Sequence, residues 1–146
     1  MARYFNLDEA RSHIPTLERT IAEAVASKGV YEKTEHFQQA LAQRIMVMGG
    51  ILVDVELVER NKTLREKSGE RLKSAVEEIQ EIGCIIKDLD AGLVDFPTLL
   101  SGEEVYLCWR MGETDIQFWH SVHEGFAGRK EIDEHFMANH QGREPN

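Results

Sequence analysis

Residues 84–97 read CIIKDLDAGLVDFP. Two apolar runs with a period of two flank a Gly-containing turn, the pattern of an antiparallel β-hairpin. So short a hairpin has few apolar positions, yet it carries Lys87, Asp88, Asp90 and Asp95. With Asp90, Ala91 and Gly92 as a three-residue loop, Leu89 faces Leu93 and Lys87 faces Asp95. Opposite charges directly across a ladder contribute roughly 0.2–1 kcal/mol, which would account for that pair structurally. Asp88 and Asp90 have their own structural explanation, because Asp favours turns by accepting from nearby backbone N–H groups. The competing explanation is a ligand held by the same charges.

Towards the C-terminus the period of two continues in EVYLCWRM (104–111) and IQFWH (116–120). The strands are separated by PTLLSGE (97–103) and GETD (112–115), both turn-competent. This predicts a four-stranded antiparallel meander with a motif-rich loop over 84–129. KEIDEHFMANH (130–140) predicts a short helix, followed by a frayed end, HQGREPN.

Towards the N-terminus the period changes. Leu7, Ala10, Ile14, Leu17, Ile21 and Ala24 recur every three or four residues, the stripe of an amphipathic helix. Asn6 and Glu9 have capping-box spacing. This predicts a helix over 7–27, kinked near His13 by Pro15 and stopped by Gly29. A second helix begins near Lys33, with a seam through Phe37, Leu41, Ile45, Met48, Leu52, Val55 and Val58. Gly49 and Gly50 within it permit a close backbone approach. A third stripe follows at Leu72, Val76, Ile79 and Ile82, and ERNKTLREKSGE (59–70) between them is either a turn or solvated helix. The fold class is therefore α+β in one domain. Long antiparallel helices over 1–83, as a helical hairpin or three-helix layer, precede the small antiparallel sheet. The stripe is wider than one neighbouring helix can cover, so a homodimer or higher homo-oligomer is expected.

The net charge is −9, and it is uneven. Residues 1–83 hold 12 Lys or Arg against 14 acids, net −2, while 84–146 hold 5 against 12, net −7. Phosphate backbones need clustered cations, so nucleic acid is disfavoured as a partner. The longest apolar run, IMVMGGILV (45–53), is far shorter than the roughly 20 residues of a bilayer span, so no membrane partner is expected. The start, MARYFNLDEA, lacks the apolar core of a secretory signal, and the expected location is the cytoplasm. Cys84 and Cys108 lie in apolar runs with no second cysteine at ligand spacing, and read as buried reduced thiols.

Arg110, Glu113, Trp119, His120, His123, Glu124 and Arg129 fall within about 20 residues, and a pocket with convergent polar groups needs such a set. Arg110 lies in an apolar strand, where it requires a carboxylate partner or an anionic ligand. Three readings compete. In the first, His120 and His123 bind a divalent metal such as Zn or Fe(II), with oxygen from Asp95, Glu113 or Glu124. The alternative for these histidines is hydrogen bonding within a loop. In the second, Arg110 and Arg129 grip a carboxylate or phosphate, backed by the amides of GFAGR (125–129), with Asp95 or Glu113 as general base. The candidate catalytic set is then Asp95, Arg110, Glu113 and His120, with Lys87, Asp88, Trp119 and Arg129 binding the ligand. In the third, the helical stripe is the working surface of a scaffold and the charges are an internal ion-pair network. No serine triad, P-loop or dinucleotide fingerprint is present.

Gly83, IKDLDAGLVDFP (86–97), LCWRMGE (107–113), WH (119–120) and GFAGR (125–129) form one motif set, together with F..DEA from Phe5 and P.L from Pro15. In this set the chain resembles the uncharacterised bacterial family catalogued as domain of unknown function 2203. The resemblance covers nearly the whole chain and implies a small cytoplasmic bacterial protein with helices first and a motif-rich end. It supplies no activity. HIP at 13–15 replaces a leucine-rich version, which touches only the packing of the first helix.

Overall fold

In a computed structural model, which describes residues 3–142, Asn6 begins the first helix. Its side chain accepts the Glu9 N–H at 2.8 Å, capping α1 (Leu7–Ser12) with the expected spacing. The chain breaks at His13 and restarts as α2 (Ile14–Met48). Pro15 therefore sits in a first turn, where its missing N–H has no intrahelical acceptor to lose, and the expected kink is a boundary between two helices.

Gly29 does not end a helix: α2 runs through it for 35 residues. A single glycine costs only about 1 kcal/mol of propensity, less than the neighbouring turns supply. The stop comes at Gly49 and Gly50, with φ of +71° and +131°, so these glycines make the turn rather than a close helix contact. α3 (Val55–Ile82) starts where Asp54 accepts the Leu57 N–H at 3.1 Å and ends at Gly83, φ +98°. Residues 33–82 thus form parts of two helices, and 59–70 are solvated helix.

Among the described residues six strands follow instead of four: β1 (Ile85–Asp88), β2 (Leu93–Leu100), β3 (Glu103–Arg110), β4 (Phe118–Ser121), β5 (Lys130–Glu131) and β6 (His140–Gln141). All pair antiparallel in the order β1-β2-β3-β4-β5, and β6 joins β2. The α+β class holds, with two extra two-residue strands that no alternation could announce. One belongs to the end expected to fray, where His140 and Gln141 pair with β2; residues 143–146 lie outside the described ones. PTLLSGE is not a single turn. Pro97 to Leu100 stay in β2, and the reversal is Ser101–Gly102, with φ of +51° and +83°. Pro97 is tolerated because its missing N–H would face away from β3, on the side where its carbonyl accepts the Phe5 N–H at 2.8 Å and β1 no longer pairs. The predicted short helix is α4 (Glu134–Asn139), capped by Asp133, whose side chain accepts from Phe136 N.

The first hairpin also differs in register. Ile85 pairs with Asp95, Ile86 with Val94 and Asp88 with Leu93, so Lys87 is the bulged residue and does not face Asp95. Its ammonium lies over the Tyr106 ring, 5.2 Å from the centroid.

Two compact units result: Met1–Ile21 with Glu77–Asn146, and Ala22–Val76. In the first, Phe5, Leu7, Ala10, Ile14, Leu17 and Ile21 pack with Ile79, Ile82, Val94, Phe96, Leu107 and Trp109 in one hydrophobic cluster. Val94, Phe96, Leu107 and Trp109 alternate along β2 and β3, so this cluster covers one face of the sheet. The other face carries Asp95, Cys108 and His120. The second unit is an antiparallel helix pair in which none of residues 35–67 is buried.

Candidate functional site

The register of three strands assembles the site. Asp95 on β2 lies directly opposite Cys108 on β3, Cys108 opposite Phe118 on β4, and His120 two residues beyond Phe118 on the same face. Period-two alternation therefore sets an acid, a thiol and an imidazole side by side. Asp95 is 1% exposed, Cys108 0% and His120 2%. Their ligand atoms all lie within 4.8 Å of one another, a geometry able to hold a metal ion.

His120 Nδ1 is 2.8 Å from the Ser121 carbonyl oxygen, and Nε2 is 3.1 Å from Asp95 Oδ1. A carbonyl only accepts, so Nδ1 carries a hydrogen and the Nε2 lone pair points at Asp95. Two facing lone pairs repel. The contact therefore needs a proton between them or a cation in its place. Cys108 adjoins the pair: burial, and then the Asp95 charge, push its thiol up to about 12, while the Arg129 guanidinium draws it down. Tyr106 packs edge-on to His120 with centroids 5.5 Å apart, and its hydroxyl is also raised, first by burial and then by Glu104 and Asp95.

Arg129 closes one side. Its guanidinium lies between the rings of Phe118 and Phe126, 4.2 and 4.6 Å from their centroids. It donates to the Cys108 carbonyl at 3.2 Å and to Glu113 Oε1 at 2.6 Å, while its buried Nε has no hydrogen-bond partner. Glu113 Oε1 also accepts the Arg110 N–H at 2.7 Å. Glu113 and Arg129 thus neutralise each other beside the cluster, so a further charge brought among Asp95, Cys108 and His120 must be balanced by those three.

The other candidates are distributed differently. The Arg110 guanidinium is exposed and stacks over Phe126 at 5.6 Å, so the strand does not bury it and the expected need for a carboxylate partner disappears. Arg110, Asp88, Ala91, Leu93 and Phe126 line a cavity of about 260 Å³. Leu93 and Arg110, paired with each other, lie two residues along their strands from Asp95 and Cys108, on the same face. Asp88 accepts the Ala91 N–H at 3.1 Å, the turn role foreseen for it. Trp119 points to the other face, packing beside Phe136 with Lys130 above it, which separates it from its neighbour His120. His123 is exposed. Glu124 accepts from Lys130 at 2.9 Å and Ser121 at 2.8 Å, and these contacts, the Lys130 ammonium first, hold its carboxyl below the usual range. The HxxH pair is therefore split between a buried strand residue and an exposed turn residue. Cys108 is the member that composition alone passed over. It could have been found by writing Asp95 and Cys108 on alternating strands and noting that both fall opposite the aliphatic face.

No curated protein and no solved structure matches the chain. The model of the family described as uncharacterized conserved protein (DUF2203) matches residues 3–132, a span that contains Asp95, Cys108, His120 and Arg129. The chain belongs to that family.

Proposed function

We propose that this protein binds one divalent transition metal through Asp95 Oδ1, Cys108 Sγ and His120 Nε2. The observation that carries the reading is the buried convergence of these three donors. Zinc bonds of about 2.0–2.2 Å to nitrogen and oxygen at a tetrahedral angle imply about 3.3–3.6 Å between ligand atoms, so the 3.1 Å Nε2–Oδ1 separation need widen only by a few tenths of an ångström. The Nδ1 hydrogen bond to the Ser121 carbonyl is the outer contact a metal-bound imidazole needs to fix its tautomer. A dication with one carboxylate and one thiolate is neutral, which is what a buried site next to an already paired Arg129 demands. Sulfur, nitrogen and oxygen donors together suit zinc or iron(II) better than magnesium or calcium. Three protein ligands leave a fourth tetrahedral position for water or a ligand.

Cobalt(II) titration of reduced protein tests this. Wild type develops thiolate-to-cobalt charge-transfer absorption saturating at one equivalent. Cys108→Ser removes that band, and His120→Ala weakens binding roughly 10²–10³-fold. Unchanged spectra in Cys108→Ser would refute the ligand set.

A second reading is supported by the Arg110 cavity: a small carboxylate or phosphate held by an exposed guanidinium against Phe126. Arg110→Ala would then lose phosphate binding and keep the cobalt signal.

A further inference from the structure

The helix pair of Ala22–Val76 cannot be complete as a lone layer. Its buried residues are Ala24, Ser27, Thr34, Ser68 and Ala75, all small, and between Thr34 and Ser68 nothing is buried. In proteins most helical stability comes from packing an apolar face rather than from intrinsic propensity. Here that face is uncovered. Ile45, Met46, Val47, Met48, Leu52, Val53, Val55, Leu57 and Leu64 are all exposed, Met46 by 83% and Leu52 by 103%. Eight of the nine fall within residues 45–57 at the turn end of the pair, a concentration of exposed apolar side chains that marks an interaction surface, while Leu64 lines a separate cavity with Val30.

The same unit offers a receiver. A groove of about 630 Å³ between the two helices is lined by Tyr31, Phe37, Leu41 and Val58 among polar rims that include Asn61 and Arg65. An apolar tip and an apolar groove on one helix pair can serve as the two halves of an isologous contact, in which the tip of each copy fills the groove of the other.

Charge selects the occupant. Residues 22–76 hold 9 Lys or Arg and 8 acids, net +1, whereas 1–21 with 77–146 hold 8 against 18, net −10. A net charge near zero exerts little pull on anionic lipid or nucleic acid, and it sets up no repulsion between two copies of the unit. A copy joined through the other unit would set ten net negative charges against ten.

We infer that residues 22–76 pair with the same segment of a second copy of this chain, as an antiparallel four-helix bundle that buries the turn at Gly49 and Gly50 and its flanking apolar residues. This does not rest on the metal reading. Sedimentation equilibrium of the full chain gives twice the 16.7 kDa chain mass at tens of micromolar. The double variant Met48→Glu, Leu52→Glu raises the dissociation constant at least about a hundredfold, since each change buries an unpaired charge. Should that variant lose helix content, hydrogen exchange of wild type decides: amides of residues 37–66 exchange more slowly as protein concentration rises. A wild type at single-chain mass with concentration-independent exchange overturns the dimer. If that monomer also floats with phosphatidylcholine–phosphatidylglycerol vesicles, the patch is a membrane contact instead.

Discussion

The two units use the same residue alphabet to opposite ends. The unit holding the sheet buries Trp109, Phe5, Phe96 and Phe136 fully, and places its polar cluster where water is excluded. The helix pair fully buries only alanine, serine and threonine, and leaves Met46, Val47, Met48, Leu52, Val55 and Leu57 in solvent. Apolar content therefore does not by itself say where a core lies. In a sheet, alternation gives every second residue a fixed face, and covering both faces buries a charge as readily as a phenyl ring. In a two-helix layer each stripe has only one neighbour, so large side chains outnumber the surfaces able to cover them.

The sharpest way to break this contrast is to delete one large side chain from each unit. Phe96→Ala should cost about 3–5 kcal/mol in chemical denaturation, because it leaves a cavity against Phe5 and its neighbours. Leu64→Ala, already half exposed, should change the stability of dilute protein by less than about 0.5 kcal/mol. Similar losses at the two sites would mean that the helix pair has a core of its own.

Next in size is Asp95→Ala in metal-free protein. It strips His120 Nε2 of its buried partner and should cost about 3 kcal/mol, with Asp95→Asn costing less because the amide still offers hydrogen bonds. A loss below about 0.5 kcal/mol for Asp95→Ala would show that the pair is not coupled.

The smallest expected effect is on the alkaline limb of stability. Burial pushes the Cys84 thiol up to about 11, and burial with Asp95 pushes Cys108 up to about 12. Both shifts are upward, so folding favours the neutral thiol. That contribution is whole below the unfolded thiol pKa of about 8.5 and is lost as pH rises through the folded values. Metal-free protein should weaken progressively from about pH 8.5, and Cys108→Ala should flatten that slope. An unchanged slope would show that Cys108 ionises as freely in the folded protein as in the unfolded one.

The helix stripe from Leu7 to Ala24, the Asn6 cap and the change of period after Gly83 were legible because each is a local pattern with a local cause. Gly29 misled because one glycine is too weak to end a helix, while the paired glycines at 49 and 50 both take positive φ and do end one. The Lys87–Asp95 pair failed for a nonlocal reason. The loop is Leu89–Gly92, four residues rather than the expected three, because Asp88 and not Leu89 pairs with Leu93; a bulge at Lys87 adds a second shift, and the acid finds His120 from two strands away. Asp95 and His120 both stood among the candidates from the sequence, but nothing in their separation of 25 residues announces the contact. Trp119 and His120 could not both have lined one site, since adjacent strand residues face opposite ways.

What occupies the space between the acid, the thiol and the imidazole decides the function of the site. Elemental analysis of protein purified under reducing conditions, without chelator or affinity metal, measures it directly. One equivalent of zinc or iron per chain in wild type, falling below a tenth in Cys108→Ser, is the expected result. Stoichiometric metal retained by Cys108→Ser, or none in wild type even after incubation with zinc, would contradict it and leave Asp95 and His120 as a pair bridged by a proton.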